Sequence, residues 1–250
     1  MRLALVTDIH ANLEALSAVL DDVEAEGVDR IVVLGDIVGY GADPGPCVEA
    51  VADLVDKGAV ALLGNHDQAA FLGPKGMSET AATAIRWTIP KLGDDHIRFL
   101  KSLPLAHHEG DALFVHASAH HPESWPYVME ASDAAASFAS TDARVIVSGH
   151  THVPALFHTI AGALSTGKML SFRPVADKAV PLSPIRRYHA VIGAVGQPRD
   201  GDSRACWGLY DLDGNEITWR RVPYDVEAAA RKIEHSGLPE RLAARLFTGR

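Results

Sequence analysis

The sequence predicts an α/β (α+β) protein in which two β-sheets form a sandwich flanked by helices. Five short apolar runs are continuous rather than alternating, as in strands that are buried on both faces of a largely parallel or mixed sheet. Helical periodicity fills the first two gaps between these runs. After Pro154 the pattern changes to short β segments separated by turns.

The first half of the chain is predicted to follow the order β-α-β-α-β. The apolar runs are residues 3–6, 31–34, 60–63, 112–115 and 145–147. The two helices have apolar stripes at Leu13, Leu16, Leu20 and Val23, and at Val48, Val51, Ala52 and Val55. We expect Asn12 to cap the first helix, and Asp43 and Pro44 to be the N-cap and first residue of the second.

The later segments are predicted from turn and cap residues as much as from the periodicity of apolar residues. Residues from about 72 to 110 have the pattern of a peripheral helical segment. The Asp-Gly pair at 213–214 predicts a hairpin turn. Two C-terminal helices are expected over about 225–247, with Asp225 capping the first and Gly237 ending it.

Length, charge and cysteine content restrict the class of function. The 250 residues are sufficient for a sizeable core, and we expect residues 1–250 to form a single domain. The net charge of -9 argues against a bulk nucleic-acid or anionic-membrane surface, although a local positive pocket stays possible. Cys47 and Cys206 have no metal or disulfide spacing. Since the sequence shows no signal peptide or membrane-spanning run, a soluble cytoplasmic protein is expected.

Polar side chains follow each of the five apolar runs. They are Asp8 and His10, then Asp36, then Asn65 and His66, then His116, and finally His150 and His152. A single Gly-Asp pair is more often a turn, and a single buried histidine is more often a core residue. Sites in open α/β sheets form at the carboxyl ends of strands, so the joint occurrence predicts one shared site.

The residue types at this site predict a two-metal hydrolase. The expected ligands are Asp8, His10, Asp36, Asn65, His116, His150 and His152. Mixed oxygen and nitrogen ligands without thiolates suit two divalent ions (Mn, Fe, Co, Ni or Zn) bridged by a carboxylate. A bridging hydroxide would attack phosphorus, and His66 would protonate the leaving group.

The motifs resemble those of a known superfamily. In order, DIH, GDIVGYG, GNHD, VHAS and GHTH resemble the calcineurin-like metallophosphoesterases, and DIHANLEAL with GQPRDGD is similar to their bacterial phosphodiesterase-like branch. The resemblance covers nearly the whole chain and implies the fold of that superfamily. It implies that Asp8, His10, Asp36 and His152 hold one ion, and that Asp36, Asn65, His116 and His150 hold the other. His66 matches the catalytic histidine of the family.

The resemblance also has departures that bear on the substrate. The protein phosphatases of this superfamily have an Asp-Arg pair shortly after the residue matching Asp36, and this chain lacks it. We therefore expect a small phosphodiester or nucleotide substrate rather than a phosphoprotein. A phosphomonoesterase and a dinucleoside polyphosphate hydrolase are the alternatives within the class. A non-catalytic scaffold of the same fold is disfavoured, because such proteins tend to lose ligands or the catalytic histidine.

A few residues have two competing interpretations in the sequence. Arg199 is predicted either to contact substrate phosphate or to form a surface ion pair with a neighbouring aspartate. Tyr40 either lines the substrate pocket or packs beneath its loop. Asp67 either orients His66 or caps a helix. Arg186 and Arg187 are expected to be exposed to solvent. The tryptophans, Trp125 among them, are expected to be packing residues.

Overall fold

The computed structural model describes residues 1–160 and 169–250, which contain two mixed six-stranded sheets and eight α-helices. The first sheet has the order β3 (Val60–Ala61), β2 (Arg30–Val33), β1 (Arg2–Val6), β11 (Ala205–Asp211), β12 (Glu216–Val222) and β9 (Ala179–Pro181). The second has the order β4 (Ala106–Glu109), β5 (Ala112–Val115), β6 (Val145–Ser148), β10 (Arg186–Val191), β7 (Ala155–Ile160) and β8 (Leu170–Phe172). The predicted two-sheet fold class is confirmed.

The helices lie between and after these strands along the chain. They are α1 (Leu13–Glu26), α2 (Pro44–Asp56), α3 (Asn65–Leu72), α4 (Glu79–Thr88), α5 (Asp94–Ser102), α6 (Ala131–Ala139), α7 (Val226–Ser236) and α8 (Glu240–Thr248). In the described ranges, none of the helices combines the length and the apolar character needed to span a bilayer.

Strands β1 and β6 are almost continuously apolar because both of their faces are covered. Leu5 of β1 belongs to the core between the two sheets, together with Val147 of β6. The next residue, Val6, faces the opposite way and packs with Leu16 of α1 and Val48 of α2. Successive side chains of a strand point to opposite faces, so a strand between a sheet and a helix layer has no polar face.

The predicted helix starts are confirmed, but the two caps differ. The Asn12 side chain accepts a hydrogen bond of 3.1 Å from the backbone N–H of Ala15. Asp43 precedes α2 as predicted, yet its side chain makes no capping bond. Its carboxylate instead accepts a hydrogen bond of 2.7 Å from Nζ of Lys232, which joins α2 to α7.

The C-terminal half follows the sequence pattern closely. Strands β11 and β12 pair antiparallel around the predicted hairpin, with Asp211 opposite Glu216. Asp225 caps α7 by accepting a 2.8 Å hydrogen bond from the backbone N–H of Ala228. Gly237 ends that helix with a φ of 82°, a left-handed conformation that favours glycine.

Two of the sequence predictions are wrong. The helical segment over about 72–110 ends early, because β4 pairs antiparallel with β5. The residues of β4 alternate between exposed and half-buried, so this edge strand has no apolar run. Arg187 is not solvated: its guanidinium is buried and donates to the carbonyls of Phe138 and Ala143, both at 3.0 Å.

Candidate metal centre

The polar residues that follow the five strands meet at one rim of the sandwich. Asp8 and His10 follow β1, Asp36 follows β2, Asn65 and His66 begin α3 directly after β3, His116 follows β5, and His150 and His152 follow β6. All are buried except Asn65, which is half-buried. Three parallel strands of one sheet and two of the other therefore direct their carboxyl ends to a common point.

One cluster is formed by Asp8, His10 and His152, whose nearest ligand atoms lie within 4.8 Å of one another. Nε2 of His10 lies 3.0 Å from Nε2 of His152. The latter nitrogen is 3.2 Å from Oδ1 of Asp8. That oxygen is buried and has no hydrogen-bond partner among the described residues. A bare carboxylate oxygen between two imidazole nitrogens has the geometry of a cation site.

A second cluster is formed by Asp36, His116 and His150, again within 4.8 Å. Nε2 of His116 lies 3.1 Å from Nδ1 of His150 and 3.2 Å from Oδ1 of Asn65. Oδ2 of Asp36 is 3.4 Å from this nitrogen and 3.6 Å from Nε2 of His10 in the first cluster. One carboxylate oxygen thus faces both clusters.

The four imidazoles are held in fixed orientations by backbone carbonyls. The ring nitrogens facing away from the centre are hydrogen-bonded as follows: His10 Nδ1 to Val38 (3.1 Å), His116 Nδ1 to Leu34 (2.9 Å), His152 Nδ1 to Gln197 (2.6 Å) and His150 Nε2 to Trp125 (3.1 Å). A carbonyl oxygen only accepts, so each of these nitrogens must carry the proton. The nitrogens facing the centre are then free to present lone pairs to a metal, and this is the usual environment of a histidine ligand.

The electrostatics of the centre favour a positive charge. Burial alone would lower the pKa of His116, but the carboxylate of Asp36 outweighs it and raises that pKa to about 9. Burial would likewise raise the pKa of Asp36, yet the surrounding imidazoles, His116 first, hold it well below its usual value. Two converging pairs of nitrogen atoms about 3 Å apart, next to ionised carboxylates, fit divalent cations.

The backbone is strained where it presents these side chains. Five of the ligand-type residues have left-handed φ, namely Asp8 (53°), His10 (49°), Asp36 (54°), His150 (65°) and His152 (60°). Each such residue costs on the order of 1–3 kcal/mol and persists only where the surrounding structure enforces it. Strain concentrated at one rim indicates a functional site rather than a set of ordinary turns.

Two motif glycines permit close approach between the strand-end loops. A Cβ atom at Gly149 would lie 2.0 Å from Oγ1 of Thr7 and 2.3 Å from Oδ2 of Asp8. A Cβ at Gly64 would lie 2.2 Å from the backbone nitrogen of Asp36. Both contacts are impossible for a side-chain carbon, so these positions require glycine for space.

His66 lies beside the two clusters, with its ring centre 4.8 Å from that of His10. It also forms a group with His10 and Asp36 whose ligand atoms lie within 4.8 Å. Burial lowers the pKa of His66 to about 4. Its Nδ1 has no hydrogen-bond partner among the described residues.

Of the two uses predicted for Asp67, the structure shows the capping one. Oδ2 of Asp67 accepts from the N–H of Gly64 at 3.0 Å. Oδ1 accepts from Ile37 at 2.9 Å and from Val38 at 3.1 Å. The carboxylate therefore fixes the start of α3 against the loop after β2, and the His66 ring is not oriented by it.

Tyr40 is buried against the centre. Its ring lies 4.7 Å from that of His10 and 4.5 Å from that of His66, centre to centre. Cζ of Arg199 lies 5.5 Å from the Tyr40 ring centre. Tyr40 thus packs beneath its loop, as one of its two interpretations predicts, and its side chain also lines the adjoining cleft.

Arg199 does not form the predicted surface ion pair. The neighbouring Asp200 pairs with Arg221, and Asp202 pairs with Arg204 at 2.6 Å. Arg199 itself donates to Oε1 of Gln197 at 2.9 Å. Burial is the largest cause that lowers the pKa of His152, and the positive charge of Arg199 is the next largest. The Arg199 guanidinium therefore lies close to the centre.

A cleft of about 610 Å³ opens beside the centre between α3, α4 and the segment after β5. The Tyr127 ring stacks on the His150 ring with a 4.1 Å centre separation. Trp125 lines the same cleft and contacts the His116 ring edge-on at 5.7 Å. Trp125 was expected only to pack, and Tyr127 was not predicted; their position shortly after His116 is the one signal that the sequence offers.

Comparison with known proteins finds relatives along the whole chain. A sequence model of the calcineurin-like phosphoesterase family matches residues 1–154. An uncharacterised protein of Methanocaldococcus jannaschii is 36% identical over 256 residues, covering 99% of this chain and 98% of that protein. The crystal structure of a metallophosphoesterase from Sphaerobacter thermophilus matches with a TM-score of 0.87 and 38% identity, covering 100% and 99% of the two chains. A hypothetical protein from Pyrococcus horikoshii shares the fold, with a TM-score of 0.80, 18% identity and coverage of 100% and 98%.

Proposed function

The chain belongs to the calcineurin-like phosphoesterases, and we propose that it is a dinuclear metal-dependent phosphodiesterase acting on a phosphodiester or a nucleotide. The observation that carries the proposal is the convergence of four oriented imidazoles and two carboxylates on one point. The facing nitrogen atoms are 3.0 Å apart in one cluster and 3.1 Å apart in the other. Lone pairs this close repel each other unless a proton or a metal ion lies between them.

Two ions would be held by overlapping sets of side chains. The first set is Asp8, His10, Asp36 and His152, and the second is Asp36, Asn65, His116 and His150. Asp36 is assigned to both because its Oδ2 lies 3.6 Å from His10 Nε2 and 3.4 Å from His116 Nε2. When bound, a pair of divalent ions lowers the pKa of water and stabilises charge on phosphoryl oxygens.

The remaining residues would handle the proton and the substrate. His66 lies next to the ligand Asn65 and within reach of both clusters, so we assign it to protonate the leaving-group oxygen. Tyr40 and Arg199 would contact the substrate at the edge of the centre. The half-exposed aromatic ring of Tyr127, which is 52% exposed, offers a surface for an apolar or planar ester group.

A diester is favoured over a phosphoprotein by the loop after Asp36. Gly39 and Tyr40 stand there, so that loop supplies no cation to bind a phosphomonoester dianion. A diester carries a single negative charge and a second organic group. The cleft beside the centre has the volume and the aromatic lining for that group.

The proposal is tested by hydrolysis of matched p-nitrophenyl esters. Bis(p-nitrophenyl) phosphate, p-nitrophenyl phosphate and a phosphopeptide are compared after loading the protein with Mn, Ni or Zn, with chelator-treated protein as the control. We expect metal-dependent hydrolysis in which the diester has a kcat/KM at least as high as that of the monoester. A large preference for the phosphopeptide would contradict the diester assignment.

A further inference from the structure

Two arginines near the centre have no carboxylate partner in residues 1–160 and 169–250. Arg199 follows β10, and Arg245 lies on α8, an element that the sequence does not connect with the site. Oε1 of Gln197 accepts a hydrogen bond from each of them, at 2.9 Å from Arg199 and 3.1 Å from Arg245. Among the described residues neither arginine forms an ion pair, since Asp200 and Asp202 pair with other arginines.

Both guanidinium groups are incompletely satisfied. The Nε atoms of Arg199 and Arg245 are buried, and in the described part of the chain neither has a hydrogen-bond partner. An unpaired buried donor on a charged group costs free energy, and two like charges that share one neutral acceptor repel each other. A planar guanidinium presents paired N–H donors that match the oxygens of a phosphate group. An anion held between the two side chains would remove both costs.

The arginine pair is one side chain away from the metal centre. Cζ of Arg199 is 5.5 Å from the Tyr40 ring centre, and that ring contacts His10 and His66. The proposed function assigns the attacked phosphoryl group to the ions. The two guanidinium charges then stay uncompensated, so the pair is available for a different anionic group.

We propose that Arg199 and Arg245 form a subsite for a second phosphate group of the substrate, distinct from the one that is attacked. This proposal rests on the proposed function, which places the attacked phosphate group at the two ions. The substrate class becomes a diester that carries a further phosphate, such as a nucleotide with phosphates at both ends of its sugar. Simple diesters without that phosphate are then weaker substrates.

Kinetics with a matched pair of esters test the subsite. The p-nitrophenyl ester of thymidine 5′-phosphate is compared with the same ester carrying a 3′-phosphate, using the Mn-loaded protein. We expect the 3′-phosphate to lower KM about tenfold, the effect of one or two charge-assisted hydrogen bonds. Arg245→Gln and Arg199→Gln should both lose this difference. Arg231→Gln, which changes an exposed arginine of α7, is the control and should keep it.

Equilibrium binding provides a measurement that does not depend on hydrolysis. Adenosine 3′,5′-bisphosphate and adenosine, which carries no phosphate, are titrated into chelator-treated wild-type, Arg199→Gln, Arg245→Gln and Arg231→Gln proteins. We expect the bisphosphate to bind about tenfold tighter, and only the first two variants to lose that preference. Equal affinities in the wild-type protein, or a preference that survives both variants, would overturn the subsite whether or not the diesters are hydrolysed. Binding through the arginines without hydrolysis of either ester would contradict the proposed function alone.

Discussion

At the scale of single residues, Asn65 and His66 are neighbours with different assignments. Oδ1 of Asn65 lies 3.2 Å from Nε2 of His116, inside the second cluster. His66 contacts the rings of His10 and Tyr40 and is assigned to proton transfer. Their separate roles give separate expectations for substitution.

We expect His66→Gln to retain both ions and to lower kcat by roughly 10²–10⁴, the usual contribution of general acid catalysis. The defect should shrink for leaving groups of low pKa, such as nitrophenolate, because these depart without a proton. Asn65→Ala is the comparison and should lower the occupancy of one ion, with partial rescue by added metal. Metal content and kcat are measured together over a series of leaving groups. Metal loss in His66→Gln would make His66 a ligand instead.

Gly149 gives a second expectation at this scale. The Cβ of Gly149→Ala would overlap Thr7 Oγ1 and Asp8 Oδ2, so the Asp8 carboxylate must move. A displacement of this kind should weaken metal binding and reduce kcat/KM by about 10²-fold. Gly93→Ala is the matched control, because no atom of the described residues lies within 4 Å of a Cβ there. Equal activities of the two variants would show that the loop carrying Gly149 adapts to the added carbon. The close approach of Gly149 to Asp8 would then not be needed for activity.

At the scale of elements, the site depends on how α3 is tied to the loop after β2. Asp67 accepts three backbone hydrogen bonds, from Gly64, Ile37 and Val38. These bonds join the start of α3, which carries Asn65, to the loop that carries Asp36. One carboxylate thus holds ligands of two strand ends in register.

We expect Asp67→Ala to lower the free energy of unfolding by about 3 kcal/mol, since it leaves three buried N–H donors unpaired. It should also weaken metal binding, because Asn65 and Asp36 lose their common support. Asp225→Ala removes a cap of α7 away from the site and should cost about 1 kcal/mol. Urea unfolding with chelator, followed by metal titration, measures both effects. Unchanged metal affinity in Asp67→Ala would mean that the ligand loops are positioned by other contacts.

At the scale of the whole molecule, the parts that could be predicted are those with a local pattern. Continuous apolar runs identify strands that are covered on both faces, so the polar residues that end them were predictable. Helix α3 was not, because its residues 65–72 have no apolar stripe and it is held by Asp67. Arg245 was not predicted because only the packing of α8 brings it to Gln197. Arg187 looked solvated because the sequence does not reveal the carbonyls that surround it.

His189 of β10 is a buried titratable group outside the two ligand clusters. It is fully buried, its Nε2 is 3.0 Å from Oγ of Ser148, and burial lowers its pKa to about 3. In the unfolded chain a histidine has a pKa of about 6.5. Between these values the unfolded state binds a proton that the folded state does not. The neutral, buried His189 ring therefore gives its full contribution to the free energy of unfolding above about pH 6.5. That contribution is lost as the pH falls from 6.5 towards 3.

We expect wild-type protein to lose about 2 kcal/mol of stability through His189 between pH 8 and pH 5. His189→Gln should lack this part of the loss, since glutamine does not titrate. His120→Gln, at an exposed histidine, is the control. Urea unfolding in chelator at both pH values gives the difference between proteins, in which the other histidines cancel. A wild-type pH dependence equal to that of His189→Gln would mean that the folded state accommodates the charged ring.

The dinuclear centre itself is tested most directly by counting ions. Chelator-treated protein is dialysed against saturating Mn, and bound metal is measured by elemental analysis, for wild-type, Asp36→Asn and His150→Ala proteins. We expect two ions per chain in the wild-type protein. Asp36→Asn should weaken both ions because its carboxylate faces both clusters, whereas His150→Ala should weaken one. A wild-type protein that binds at most one ion under these conditions would contradict the account.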